Sequence, residues 1–146
     1  STVGDTRSLL NKSMPCDNQK EASMSDPPDN PVVRLWRTIW LGDPADGLDD
    51  ILSDPYIRHT RDGTASVTIR EYVEHMRQAT RNVRGTDLRV DQSVEMADRT
   101  FIRVTLMGVN ITSGDPVMIT VVGEYRLNEG RIAESWSMHQ SGLDWR

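Results

Sequence analysis

No stretch of this 146-residue chain approaches the ~20 consecutive apolar residues that a membrane-spanning helix needs. Ser1 to Asn30 also lacks the apolar segment of a secretory signal, so a cytoplasmic location is expected. The single cysteine, Cys16, excludes an internal disulfide and any zinc site built on paired cysteines, and its place in a polar tail argues against a catalytic thiol. Basic residues are in the minority, 17 Lys plus Arg against 22 Asp plus Glu. With no basic stripe interleaved with aromatics, a nucleic-acid partner is not expected. No Gly-rich loop leads into a helix, and no metal, flavin or nicotinamide motif is present, which points to chemistry without a cofactor. Asp43, Asp46, Asp49, Asp50 and Asp54 do not follow EF-hand spacing and are interrupted by Pro44 and Pro55, so caps and a solvated helix face account for them better than a metal site. There is no internal repeat, and the length suits one domain.

The chain divides at Pro31. Ser1 to Asn30 is rich in Ser, Asp, Asn, Lys and Pro and reads as a flexible leader. From Asn30-Pro31, Val32, Leu35, Trp36, Ile39 and Trp40 recur at helical spacing up to Gly42. Asp43-Pro44 repeats the start signal, and Leu48, Ile51 and Leu52 predict a short second helix that Asp54-Pro55 stops. Tyr56 to His59 reads as a short strand. Thr68 and Glu71 have capping-box spacing, and Ile69, Tyr72, Val73, Met76, Thr80 and Val83 then share a helix face that Gly85 ends.

From Leu88 the period becomes two: Leu88, Val90, Gln92, Val94 and Met96 alternate with polar residues. Phe101–Ile111 and Val117–Leu127 are more continuously apolar, as central strands covered on both sides would be. A last strand follows the turn Asn128-Glu129-Gly130, and the short turns imply antiparallel neighbours. Three helices, a short strand and a four-strand meander predict an α+β cup of curved, mostly antiparallel sheet, with helices on one side and a candidate dimer surface on the other.

This layout, with GDPADGLDDILSDPYIRHTRDG near the start and LNEGRIAESW near the end, resembles the SnoaL-like branch of the nuclear transport factor 2-like superfamily over Pro31 to Gln140. The resemblance implies a cone-shaped single domain over residues 31–146, a homodimer, and relatives that include polyketide cyclases, ketosteroid isomerases and limonene-epoxide-hydrolase-like enzymes. It also exposes departures. Aligned through Gly130-Arg131-Ile132, the histidine of aldol-type cyclases falls on Gly123, and their catalytic aspartate on Ser137. The Asp-Arg-Asp set of the epoxide-hydrolase-like members falls on Ser137, Val122 and Glu124. The isomerase-like members place a carboxylate near His59.

The candidate catalytic groups are therefore His59 and His139 as an acid/base pair, with Tyr125 as an oxyanion donor. His59 also fits a histidine hydrogen-bonded at a strand end, His139 a rim residue, and Tyr125 plain core. Trp36, Trp40, Tyr56, Met107 and Ser137 are candidate substrate contacts, although Trp and Met at such spacing also fill cores. Glu134 has the opposite strand parity to His139, which sends it to the second face unless a bulge intervenes. His75, beside Glu71 and Glu74, reads as part of an exposed helix face. The expected function is cofactor-independent acid/base chemistry on an apolar, oxygenated metabolite of polyketide or terpenoid type. The alternative is a non-catalytic ligand-binding or dimerisation module.

Overall fold

The structure, a computed structural model, describes residues 28–142 and residue 144. Most of the expected leader, Cys16 included, lies outside the described residues. The order of elements is helix α1 (Pro31–Leu41), a 3₁₀ turn (Leu48–Asp50), β1 (Leu52–Thr60), β2 (Gly63–Val67), helix α2 (Ile69–Ala79), β3 (Val83–Met96), β4 (Arg99–Asn110), β5 (Pro116–Asn128) and β6 (Arg131–Ser141). The six strands form one sheet in the order β2-β1-β6-β5-β4-β3. Only β1 and β6 run parallel, and the other neighbours are antiparallel. Neither described helix is long and apolar enough to cross a membrane.

Both helices begin where the sequence directs. The Asn30 side chain accepts from the Val32 and Val33 amides at 3.1 and 3.0 Å, with Pro31 in the first turn, where a missing N–H costs nothing. The Asn30 amide also donates to Ser93 Oγ at 3.0 Å, tying the start of α1 to β3. The Thr68–Glu71 capping box closes in both directions, at 3.1 Å and 2.9 Å. α2 ends at Ala79, where Thr80 bonds back to the Met76 carbonyl, and Gly85 lies inside β3 rather than at a helix end.

The expected second helix is a three-residue 3₁₀ turn. Leu48 turns into the core there, but Leu52 already opens β1, so the apolar residues span too little chain to propagate an α-helix. The described residues therefore hold two α-helices, and Asp54-Pro55 lies within β1. β2 carries no apolar alternation; it is an edge strand, exposed over Gly63–Ser66 and paired only to β1.

The helices cover one face of the sheet. Ile102, Val104 and Leu106 of β4, with Val121 and Tyr125 of β5, point inward and are buried, while Phe101 and Val122 are 40% exposed on the outer face. The two strands are thus one-sided, contrary to the continuous apolar reading. In β3 the alternation breaks at a bulge between Val90 and Gln92. The extra residue is Asp91, whose carboxylate accepts from Arg89 Nε and Thr105 Oγ1, both at 2.5 Å. Leu88 and Val90 therefore face the core, whereas Val94 and Met96 reach the outer face.

Trp40 locks α1 to the sheet. Its indole N–H donates to the Met107 carbonyl at 2.8 Å, and its backbone rests on Gly85, which pairs with Gly108 across β3 and β4. A Cβ at Gly85 would collide with the Trp40 carbonyl oxygen and lie 2.9 Å from the indole. Gly85→Ala is expected to destabilise the fold by about 3 kcal/mol, read as a lowered Tm. An unchanged Tm would show that α1 is not held by this contact.

Candidate functional site

The inner face of the sheet and the two helices bound a cavity of about 660 Å³. α1 supplies Trp36, Ile39 and Trp40 to its wall, and α2 supplies Tyr72 and Met76. Arg61, Asp62 and Thr64 and, from α2, Glu71 and His75 also reach the lining, while adjoining strands supply Tyr56 and Arg58 of β1, Tyr125 of β5, and Ser135, Ser137 and His139 of β6. The alternation of β6 sets this last series, because residues two apart share a face and lie ~7 Å apart along the strand. A bulge at Ala133, between the Leu127–Ile132 and Arg126–Glu134 pairs, turns both Ile132 and Ser135 inward and Glu134 outward.

The tyrosines form the centre of the site. Tyr125 Oη accepts from Trp36 Nε1 at 3.1 Å, with Ser137 as a further hydrogen-bonding neighbour. Tyr56 and Tyr72 meet edge to face at 5.4 Å between ring centroids. Burial pushes the Tyr125 hydroxyl up to about 12 and raises Tyr56 and Tyr72 as well, outweighing the opposing pull of the Arg58 charge. All three hydroxyls are therefore neutral donors at neutral pH.

Gly123 makes room for the Tyr125 ring. A Cβ there would lie 2.8 Å from Tyr125 Cε1 and 3.0 Å from the Trp136 carbonyl. The Tyr125 ring covers the position, so a phenol stands at this part of the wall. Ser137 faces the same space.

His59 is not in the cavity. It lies on the outer face, its Nε2 2.7 Å from Glu134 Oε2 and its Nδ1 2.8 Å from Thr64 Oγ1. Its ring stacks on Trp136 at 4.9 Å and 7°. Arg126 Nε donates to the other Glu134 oxygen at 3.1 Å, and the His59 hydrogen bond, with Arg126 behind it, holds the Glu134 carboxyl below the usual carboxylate range. His59 and His139 therefore occupy opposite faces and cannot serve one substrate. Met107 is also outside the cavity lining, on the outward phase of β4. The physical reason is the same for both: period two places a residue by its neighbours, and Tyr56 in the wall requires Arg58, not His59, to follow it inside. Arg58 was missed, although this signal was present in the sequence. His75 is exposed, as expected, but it borders the cavity mouth, as does His139.

The chain has only these three tyrosines. Their hydroxyls lose protons less readily when folded, so stability is complete below the unfolded value of 10.0 and declines as pH rises above it. Phenolate absorbance is expected to be missing from the folded protein at pH 10 and half-developed there in denaturant. A phenolate signal from folded protein at that pH would mean that the cluster is solvated.

A search of curated proteins by sequence finds no match. Among solved structures, the chain is similar to IdmH, a candidate polyketide cyclase from Streptomyces antibioticus, with TM-score 0.64, 15% identity, and coverage of 75% of this chain and 89% of that one. It is similar to a candidate isomerase from Rhodopseudomonas palustris, with TM-score 0.65, 14% identity, and coverage of 77% and 90%. A de novo designed protein with a curved β-sheet also matches, with TM-score 0.57, 16% identity, and coverage of 75% and 82%, so the shape alone carries no reaction. The model of the SnoaL-like domain matches residues 32–135. The chain belongs to the SnoaL-like domain family.

Proposed function

We propose that this protein is a cofactor-independent acid/base enzyme acting on an apolar, oxygen-bearing metabolite of polyketide or terpenoid type bound in the cup. The observation that carries this reading is a cavity walled by aromatic and aliphatic side chains with the hydroxyls of Tyr56, Tyr125, Ser135 and Ser137 set among them, whose volume lies within the ~300–1,000 Å³ of small-molecule sites. Tyr125 accepts from Trp36, which leaves its own proton available for a substrate oxygen. His139 is the imidazole on the same strand face as Ser135 and Ser137, at the mouth. In this reading it takes a proton from the carbon next to a carbonyl, the hydroxyls hold the enolate oxygen, and the imidazolium returns the proton elsewhere on the substrate. Such a transfer underlies isomerisation, dehydration and aldol cyclisation. The names of the two natural structural neighbours support the same class.

A non-catalytic binding module is the second reading, favoured by Gly123 and Ser137 at positions where relatives act. Incubation with 2-tetralone in deuterium oxide, followed by NMR, separates the two. The enzyme reading expects exchange at the carbon next to the carbonyl, reduced ~10²- to 10⁴-fold in His139→Ala and unchanged in His59→Ala. Binding without exchange would favour the module, and full exchange in His139→Ala would remove His139 from the mechanism.

We infer that two copies meet through the outer sheet face. Val94, Met96, Phe101, Val122 and Met138 are exposed large apolar side chains there. Arg99 and Glu124, 3.1 Å apart on the same face, allow a two-fold copy to set opposite charges against each other. Sedimentation is expected to give a dimer for the natural sequence and a monomer for Phe101→Asp. A monomeric natural protein would overturn this reading.

A further inference from the structure

We propose that the ligand of the cup is an anion: an apolar ring body bearing a carboxylate, whose charge is taken by Arg58. The inference rests on the reading of the cup as a small-molecule site and names the chemical class it admits. Arg58 enters the cavity from β1 in phase with Tyr56, and its Cζ lies 5.0 Å from the centroid of the Tyr72 ring. Among the described residues its guanidinium has no hydrogen bond and no ion pair, in contrast to Arg89, Arg99 and Arg126 outside the cup, each of which is paired with a carboxylate.

A cation over an aromatic face uses its charge but not its N–H groups, which lie in the guanidinium plane. Five donors in a fixed fork thus remain available beside a partly dry wall. The carboxylates that reach the mouth form no ion pair with it. Glu71 Oε1 is engaged by Thr68 at the start of α2, and Asp62 faces Arg61 at 3.5 Å. The other polar groups lining this space are the neutral hydroxyls of Tyr56, Tyr72 and Tyr125, the serines and threonines, the imidazoles of His75 and His139, and Arg61, whose guanidinium faces Asp62. An uncompensated cation beside apolar walls disfavours neutral ligands that would strip its remaining water and return nothing. A carboxylate restores the lost solvation through charge-assisted, two-point hydrogen bonding, and the adjoining hydroxyls can serve its second oxygen.

The test compares 2-naphthoate with its neutral analogue 2-acetonaphthone, using calorimetry. The acid is expected to bind at least ~10-fold more tightly, and Arg58→Met should abolish that preference while leaving the affinity for the ketone in place. Retained ketone binding also shows that the variant is folded. Equal affinities in the natural protein would overturn the anion assignment and leave the cup reading standing. A preference for the acid that survives Arg58→Met would place the carboxylate on another cation and overturn it as well. If neither probe binds, the assignment falls together with the cup reading on which it rests.

Discussion

Everything that bears on function here depends on the phase of six strands relative to a single helical layer. A sheet covered on one side divides its residues into two populations with different chemistry, and a one-residue slip exchanges them. The cross-strand registers fix that phase from β1 to β5: Tyr125 lies opposite Ser135, Arg126 opposite Glu134, and Trp136 opposite His59. The inner population is aromatic and hydroxylic around one cation, and the outer one is a lattice of ion pairs between apolar side chains. Register shifts in β1 and β3 and the bulges at Asp91 and Ala133 adjust the phase without breaking the sheet.

Packing against this layer explains the small residues. Gly85 lets the Trp40 backbone and indole come close to β3, and Gly123 leaves room for the Tyr125 ring over β5. Each absent side chain makes space for an aromatic one, and the two aromatics belong to the cavity lining. The electrostatics follow from the same arrangement. Burial keeps the tyrosines protonated, and among the described residues no carboxylate pairs with Arg58, so an unpaired guanidinium faces a predominantly apolar setting.

The helix starts were legible because they rest on local chemistry: Asn30-Pro31 and the Thr68–Glu71 box act within four residues of chain. The meander was legible because its turns are short and the apolar runs between them have the length of strands. The second helix was misread because Leu48 and Ile51 satisfy a helical spacing over a single turn, which tertiary contacts resolve as 3₁₀ before β1 begins. β2 gave no signal because an exposed edge strand needs no apolar face. The outward turn of Val94 and Met96 was hidden by the Asp91 bulge, a feature held by Arg89 and Thr105 across strands. Of the cavity lining, Tyr125, Ser137, Tyr56, Trp36, Trp40 and His139 were legible from parity and helical spacing. His59 and Met107 were misplaced by treating residue type as stronger evidence than strand phase, and the same error concealed Arg58.

The chain contains three histidines, of which His75 and His139 border the cup and His59 lies behind the sheet. An NMR titration of their imidazole resonances with 2-naphthoate therefore tests the division of faces directly. The expected result is movement of the His139 resonances on binding, with those of His59 unchanged. Movement of His59 while His139 stays fixed would contradict the placement of the binding site on the inner face.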